Sequence, residues 1–259
     1  MAMTRFIPSN RWQAFAVHLA LSALIAATLV AIILYVWYPG PYFGTMGGRD
    51  LLLLMVSVDV ILGPAITLVV YRPGKKGLRF DLAVIAVLQL AALAYGAYIV
   101  FEARPVYAVF SVDRFDSVTA NAVDAASLAK AAAPFRSVPL SGPRVVGSRL
   151  PANQEERTKI MFDSIGGGPD LPNLAQYYVP YADVAADAAK RAKPLARLRG
   201  QNAAHPEELA ELDRLVARSG RPIESFAYLP LTVRTGNLAV VVDAKSGEIA
   251  GMLALDPWW

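Results

Sequence analysis

The side chains able to do chemistry are few in this chain, and their types exclude more than they offer. No cysteine occurs among the 259 residues, which removes disulfides, thiol redox chemistry and thiolate metal ligands. There are two histidines, His18 inside an apolar run and His205 just before Pro206. Pro206, Glu207 and Glu208 read as a helix start, so His205 reads as a surface position beside a cap. A Ser-His-Asp triad outside the apolar runs would have to use that histidine, and no Gly-x-Ser-x-Gly elbow accompanies it. No metal, cofactor or catalytic residue is expected.

Some fragments look like catalytic motifs and are explained without chemistry. Ser127 and Lys130, with Lys245-Ser246-Gly247, have the form of two elements of penicillin-binding proteins. The middle Ser-Asp-Asn element is missing, and a hairpin turn accounts for Lys245-Ser246-Gly247. Gly166-Gly167-Gly168 is followed by Pro169-Asp170, where a phosphate loop would need Gly-Lys-Ser/Thr. It reads as a helix stop.

The unusual polar residues are those embedded in apolar sequence. Asp59 lies in one long apolar run and Gln89 in another. A carboxylate near the centre of a bilayer is costly unless protonated or paired, so it points either to function or to a hydrogen bond that ties helices together. At 1.5 Å per residue, Asp59 lies about 3 Å to the outer side of its run's midpoint and Gln89 about 3 Å to the inner side. His18 sits about 10 Å toward the inner end, nearer the level of Thr67. Gln89 is therefore the better partner for Asp59. Small and polar residues recur at helical spacing around them, as His18–Ser22–Ala26, Asp59–Gly63–Thr67 and Gln89–Ala92–Gly96. Such stripes let helices approach closely. Asp59, Gly63, Gln89 and Gly96 are the candidate intramembrane interaction residues.

Three elements must position these groups. Hydrophobic residues make up 55% of the chain, too many for an ordinary soluble domain, and they concentrate in residues 1–103. Runs at 12–37, 51–71 and 82–101 are each about the 20 residues that span a bilayer. The first is too long for a signal-peptide core and ends in Tyr35-Val36-Trp37-Tyr38, an aromatic belt, so it reads as an uncleaved anchor. Arg5 and Arg11 precede it, and Arg72, Lys75, Lys76 and Arg79 crowd the second loop, whereas the loop at 39–50 offers only Arg49. Basic loops stay cytoplasmic, which directs the N-terminus inward and residues 104–259 to the periplasm of a Gram-negative cell. From Glu102 onward 18 basic residues balance 18 acidic ones, so the net +4 belongs to the apolar part. The charge reports topology, and no nucleic-acid surface is expected.

Residues 104–259 read as an α+β domain with an antiparallel sheet. Strands are expected at 106–112, 225–234, 238–243 and 248–255, the last two around a turn at 244–247. Helices are expected at 155–165, with a Glu155–Lys159 pair, at 182–193, and at 206–219 before Gly220.

Several segments together carry a family resemblance. They are Trp37-Tyr38-Pro39-Gly40-Pro41-Tyr42-Phe43, Asp59-Val60-Ile61-Leu62-Gly63-Pro64 and Leu78-Arg79-Phe80-Asp81-Leu82-Ala83-Val84. Gln89-Leu90-Ala91-Ala92-Leu93, Val112-Asp113-Arg114-Phe115 and Gly168-Pro169-Asp170-Leu171 complete the series. In this order they resemble the type IV pilin accessory proteins of the TfpX/TfpZ type, over most of residues 11–120 and more loosely to the C-terminus. The resemblance implies a non-enzymatic inner-membrane protein, a chaperone or assembly modulator, that helps a cognate type IV pilin become part of a pilus. It implies no catalytic residues. From the layout alone, a membrane sensor with a periplasmic small-ligand-binding domain is the alternative, although the cytoplasmic side offers little to carry an output.

Overall fold

The computed structural model of the chain describes residues 8–203 and 206–258. Arg5 and His205 lie outside the described residues. The chain forms two compact units. One is helical and holds the N-terminal segment to Tyr35 with Gly48–Phe101; the other holds Val36–Gly47 and the chain from Glu102 onward.

Among the described residues, three helices are long and apolar enough to cross a membrane: Arg11–Trp37, Gly48–Val70 and Leu78–Glu102. The first starts at Asn10, whose side chain accepts from the Gln13 N–H at 2.9 Å and satisfies one orphan donor of the first turn. The second is interrupted by a π turn over Val58–Leu62, directly before Gly63-Pro64. The first helix buries Ala14, Ser22 and Ala26, with His18 of the expected stripe half-buried, and the second buries Asp59, Gly63 and Thr67. The third is barely covered. Only 6% of its apolar window is buried, against 29% for the second helix. Half-buried Leu82, Ile85, Gln89, Leu93 and Gly96 follow an i, i+3/i+4 line along it.

The second unit is built on one sheet. Its strands are β1 (Pro105–Ser111), β2 (Arg114–Thr119), β3 (Arg144–Ser148), β4 (Tyr178–Pro180), β5 (Lys193–Pro194), β6 (Phe226–Thr232), β7 (Leu238–Asp243) and β8 (Ile249–Leu253). Their order is β4-β3-β1-β2-β6-β7-β8, with β5 on β6. The sheet is mixed, which corrects the antiparallel expectation. β1 runs parallel to β3, with Tyr107 opposite Arg144, and β2 runs parallel to β6 at Phe115–Leu231 and Asp116–Thr232. Parallel neighbours need long connections, and β2 and the helix Ala125–Lys130 lie in the one from β1 to β3. β1 is buried at all seven positions and β7 at five of six, so these central strands are covered on both faces.

Helices from the crossovers cover the sheet. Leu195–Gln201 and Pro206–Ser219 bring Leu195, Leu198 and Leu212 onto Tyr228, Val241 and Leu253. Near the other end, Tyr107, Val109, Val146 and Tyr178 pack with Phe135 and Ala175. The helix Gln154–Ile165 buries Ile160 against Leu171 and Leu174. Its ion pair joins Lys159 to Asp163, one turn on from the expected Glu155–Lys159 pair.

Candidate functional site

In the helical unit, the local backbone explains why Asp59 and Gln89 meet. A π turn passes the Gly63 N–H to the carbonyl of Val58, and the next carbonyl, that of Asp59, then looks to residue 64. Pro64 has no N–H to offer. The Gln89 side-chain amide takes its place and donates to the Asp59 carbonyl at 3.4 Å. Gly63 makes the approach possible, since a Cβ there would lie 1.7 Å from Gln89 Nε2. The contact between Gln89 and Asp59 therefore runs through the main chain.

The Asp59 side chain is left facing inward. The residue is 6% exposed, and its Oδ2 and the Oε1 of Gln89 are both buried and accept no hydrogen bond from the described residues. His18 holds Nδ1 2.6 Å from Thr67 Oγ1 and stands beside the Gln89 side chain. Asp59 borders two clefts. One, of about 400 Å³, runs between all three helices and is lined by His18, Ser22, Thr67 and Gln89 among leucines. The other, of about 460 Å³, is bounded by Met55, Ala92, Gly96 and Ile99. Gly96 thus belongs to the second cleft, where a Cβ would meet Met55 at an ordinary 3.4 Å.

In the sheet unit, the notable feature is one that sequence reasoning missed: the segment Val36–Gly47 is inlaid into it. Tyr38 and Tyr42 are buried, and the Tyr42 hydroxyl donates to Met252 Sδ at 3.4 Å. The Thr45 carbonyl accepts from both the N–H and the hydroxyl of Thr235, at 2.8 and 3.0 Å. The Gly142 N–H donates to the Val36 carbonyl, and a Cβ on Gly142 would lie 2.4 Å from Pro39 Cδ. Beside this loop the buried Arg104 donates to the Pro139 carbonyl at 2.7 Å. Burial pushes the Tyr38 phenol up to about 12, against the opposing pull of Arg104 and Arg234. The only hint in the sequence was its density of aromatic and Pro/Gly residues.

Next to the inlaid segment, Met46, Asp116, Ser117, Thr119, Asn121 and Arg234 line a polar recess of about 380 Å³. Burial raises the Asp116 carboxyl, opposed by its hydrogen bond to Thr232, by Arg114 and by Ser111. The short β2–β6 pairing brings Asp116 opposite Thr232, and both line this recess. Val112, at the tip between β1 and β2, holds φ +60°, a strained value for a β-branched residue.

The residues with catalytic-looking spacing are used structurally. Ser127 is buried and its hydroxyl accepts from the Gln176 N–H at 2.8 Å, whereas Lys130 is exposed. Asp243 accepts the N–H groups of Lys245 and Ser246 and pairs with Arg221, fixing the expected hairpin turn. Among the described residues, no cluster of three or more His, Asp or Glu side chains could hold a metal ion.

The fold defines a class: a unit of three long apolar helices and a second, mixed-sheet unit into which the loop Val36–Gly47 is inlaid. Residues 8–47, the first helix and that loop, match the family described as fimbrial assembly protein FimB. Over 242 residues, 93% of each chain, the protein is 30% identical to the serogroup I fimbrial assembly protein of Dichelobacter nodosus. The serogroup E1 protein of that organism is 29% identical over the same share. The protein of serogroups C1 and C2 is 40% identical over 99 residues, 38% of this chain and 76% of that one. The chain belongs to the fimbrial assembly protein family. No solved structure matches it.

Proposed function

We propose that the protein is a non-enzymatic accessory factor of the TfpX/TfpZ type for a cognate type IV pilin, acting in the inner membrane as a chaperone or modulator of assembly. The observation that carries this reading is the match across 93% of the chain to proteins named for fimbrial assembly. A pilin subunit that combines an apolar helix with a soluble head would meet this protein at two levels. Its helix packs on the helical unit and its head meets the sheet unit. A contact at both levels acts as a tethered bivalent interaction, stronger than either half alone.

The proposed orientation keeps the N-terminus and the loop at 72–79 in the cytoplasm and the sheet unit in the periplasm. Two observations support it. Basic residues concentrate before the first helix and at 72–79, as cytoplasmic segments require. The loop Val36–Gly47 and the chain beyond Glu102 pack into one unit, as segments on a single side of the membrane must.

The test is a deletion strain complemented with the full-length chain carrying a photo-crosslinking residue at exposed Leu140 or Ile165 of the sheet unit. Deletion should abolish or strongly reduce pili, complementation should restore them, and at least one position should crosslink to pilin. Normal pili in the deletion strain, or no pilin adduct from either position, would reject the reading.

A further inference from the structure

The buried Asp59 oxygen has no donor among the described residues. Asp59 is more than nine-tenths buried, its Oδ2 accepts nothing from the described residues, and Gln89 Oε1 beside it is in the same condition. Both residues border the cleft between the three helices. In hydrocarbon there is no water to satisfy such groups, so the energetics favour any occupant that brings a hydrogen. The cleft is otherwise apolar, and at its mouth Leu21 and Leu90 are 56% and 57% exposed. The third helix, which forms one wall, is nearly bare. An acyl chain would fill the apolar volume and bring no hydrogen-bonding group to the Asp59 carboxyl. A helix carrying a hydroxyl, amide or amine side chain at mid-depth would fill the volume and donate to it.

From this geometry we infer that the cleft is the seat of the partner's membrane helix, with the Asp59 carboxyl as the acceptor for a donor side chain of that helix. The inference rests on the proposed pilin-accessory function, and it names the site and the chemistry the partner must bring. Gly63 takes no part in the docking surface, because Gln89 already fills the space above it. Gln89 instead fixes the back wall, held to the Asp59 carbonyl.

The experiment is photo-crosslinking in native membranes with the full-length protein. The crosslinker stands at Leu21 or Leu90, and at Val69 and Val87 as comparably exposed positions that do not line the cleft. Pilin adducts from Leu21 and Leu90 should exceed those from Val69 and Val87 at least fivefold. Normalised to the protein in the membrane, Asp59→Asn should retain the adduct, because its amide oxygen still accepts, and Asp59→Leu should reduce it at least fivefold. Leu90→Trp, which narrows the mouth without touching the acid, should suppress the Leu21 adduct even if Asp59→Leu accumulates poorly. Equal adducts from all four positions, insensitivity to both Asp59→Leu and Leu90→Trp, or loss of the adduct in a stable Asp59→Asn protein would overturn the inference. So would lipid adducts alone, or adducts between two copies of this chain, at Leu21 and Leu90. If Leu140 or Ile165 still captures pilin in those cases, the seat is wrong and the accessory function stands. If no position captures pilin, the accessory function falls with it.

Discussion

At the scale of single residues, two glycines with similar surroundings in the sequence have different work to do. Gly63 and Gly96 each sit one helical turn or two from a polar residue in an apolar helix, and both qualify as points of close approach. Only Gly63 is held to its size, since a methyl group would lie 1.7 Å from Gln89 Nε2. The amide must then leave the Asp59 carbonyl, and that carbonyl has Pro64 where its next donor would be. Gly63→Ala should therefore cost about 0.5–2 kcal/mol, the range for a hydrogen bond between membrane helices. Gly96→Ala should be close to neutral, because Met55 stands at ordinary contact distance. Thermal denaturation in detergent would measure both. The decisive comparison is made in a Gln89→Ala background, where the Gly63→Ala penalty should vanish. A penalty that persists there would mean that Gly63 matters for backbone reasons and not for the space it leaves.

At the scale of elements, the inlaid segment Val36–Gly47 behaves as part of the sheet unit's core. Two buried tyrosines and the Thr45–Thr235 bonds hold it, and each fully buried side chain of that size contributes about 1.5–3 kcal/mol. Gly142 is the tightest point, since its Cβ would strike the Pro39 ring at 2.4 Å and the Val36 carbonyl at 3.1 Å. Neither is the end of a flexible side chain, so Gly142→Ala should destabilise the sheet unit by about 1–3 kcal/mol, as overpacking does. Gly200→Ala, in a helix with open space around it, should be neutral or stabilise by up to about 1 kcal/mol. A melting temperature in detergent lowered by several degrees for the first and unchanged or raised for the second is the expected result. The difference between these glycines is invisible in the sequence, and the reason is general here. Elements with local signals were legible: the three long helices, the helix Pro206–Ser219 with its acidic start, and the β7–β8 hairpin around Asp243. The short strands β3, β4 and β5 were not, because five, three and two residues carry too little periodicity. Without β3 the parallel β1 pairing could not be read, and the sheet was expected to be antiparallel. The site divides along the same line. Asp59 and Gln89 stood out as polar residues in apolar sequence, whereas the inlaid loop depends on contacts between residues up to 210 positions apart.

At the scale of the whole molecule, the chain's charge and its packing make the same statement about sidedness. Four basic residues, Arg72, Lys75, Lys76 and Arg79, stand between the second and third long helices. Such loops resist translocation, so the loop is expected in the cytoplasm. The loop between the first and second helices has one basic residue between positions 39 and 50, Arg49. That loop packs with the chain beyond Glu102, and the two can share a unit only on one side of the membrane. Three crossings meet both conditions, and two or four would separate the loop from its packing partners. A reporter active only in the cytoplasm should therefore work when fused after Gly74, and one active only in the periplasm should work when fused after Gly142. The second fusion follows all three helices and keeps Gly142 with its Val36 contact. Replacing the four basic residues of the second loop with glutamine should weaken the orientation signal and leave the packing of Val36–Gly47 unchanged. If sidedness rests on charge alone, that variant should give mixed topology at both fusion points. A periplasmic signal after Gly74 in the unaltered chain would overturn the arrangement, and with it the proposed contact with a pilin head on the outer face.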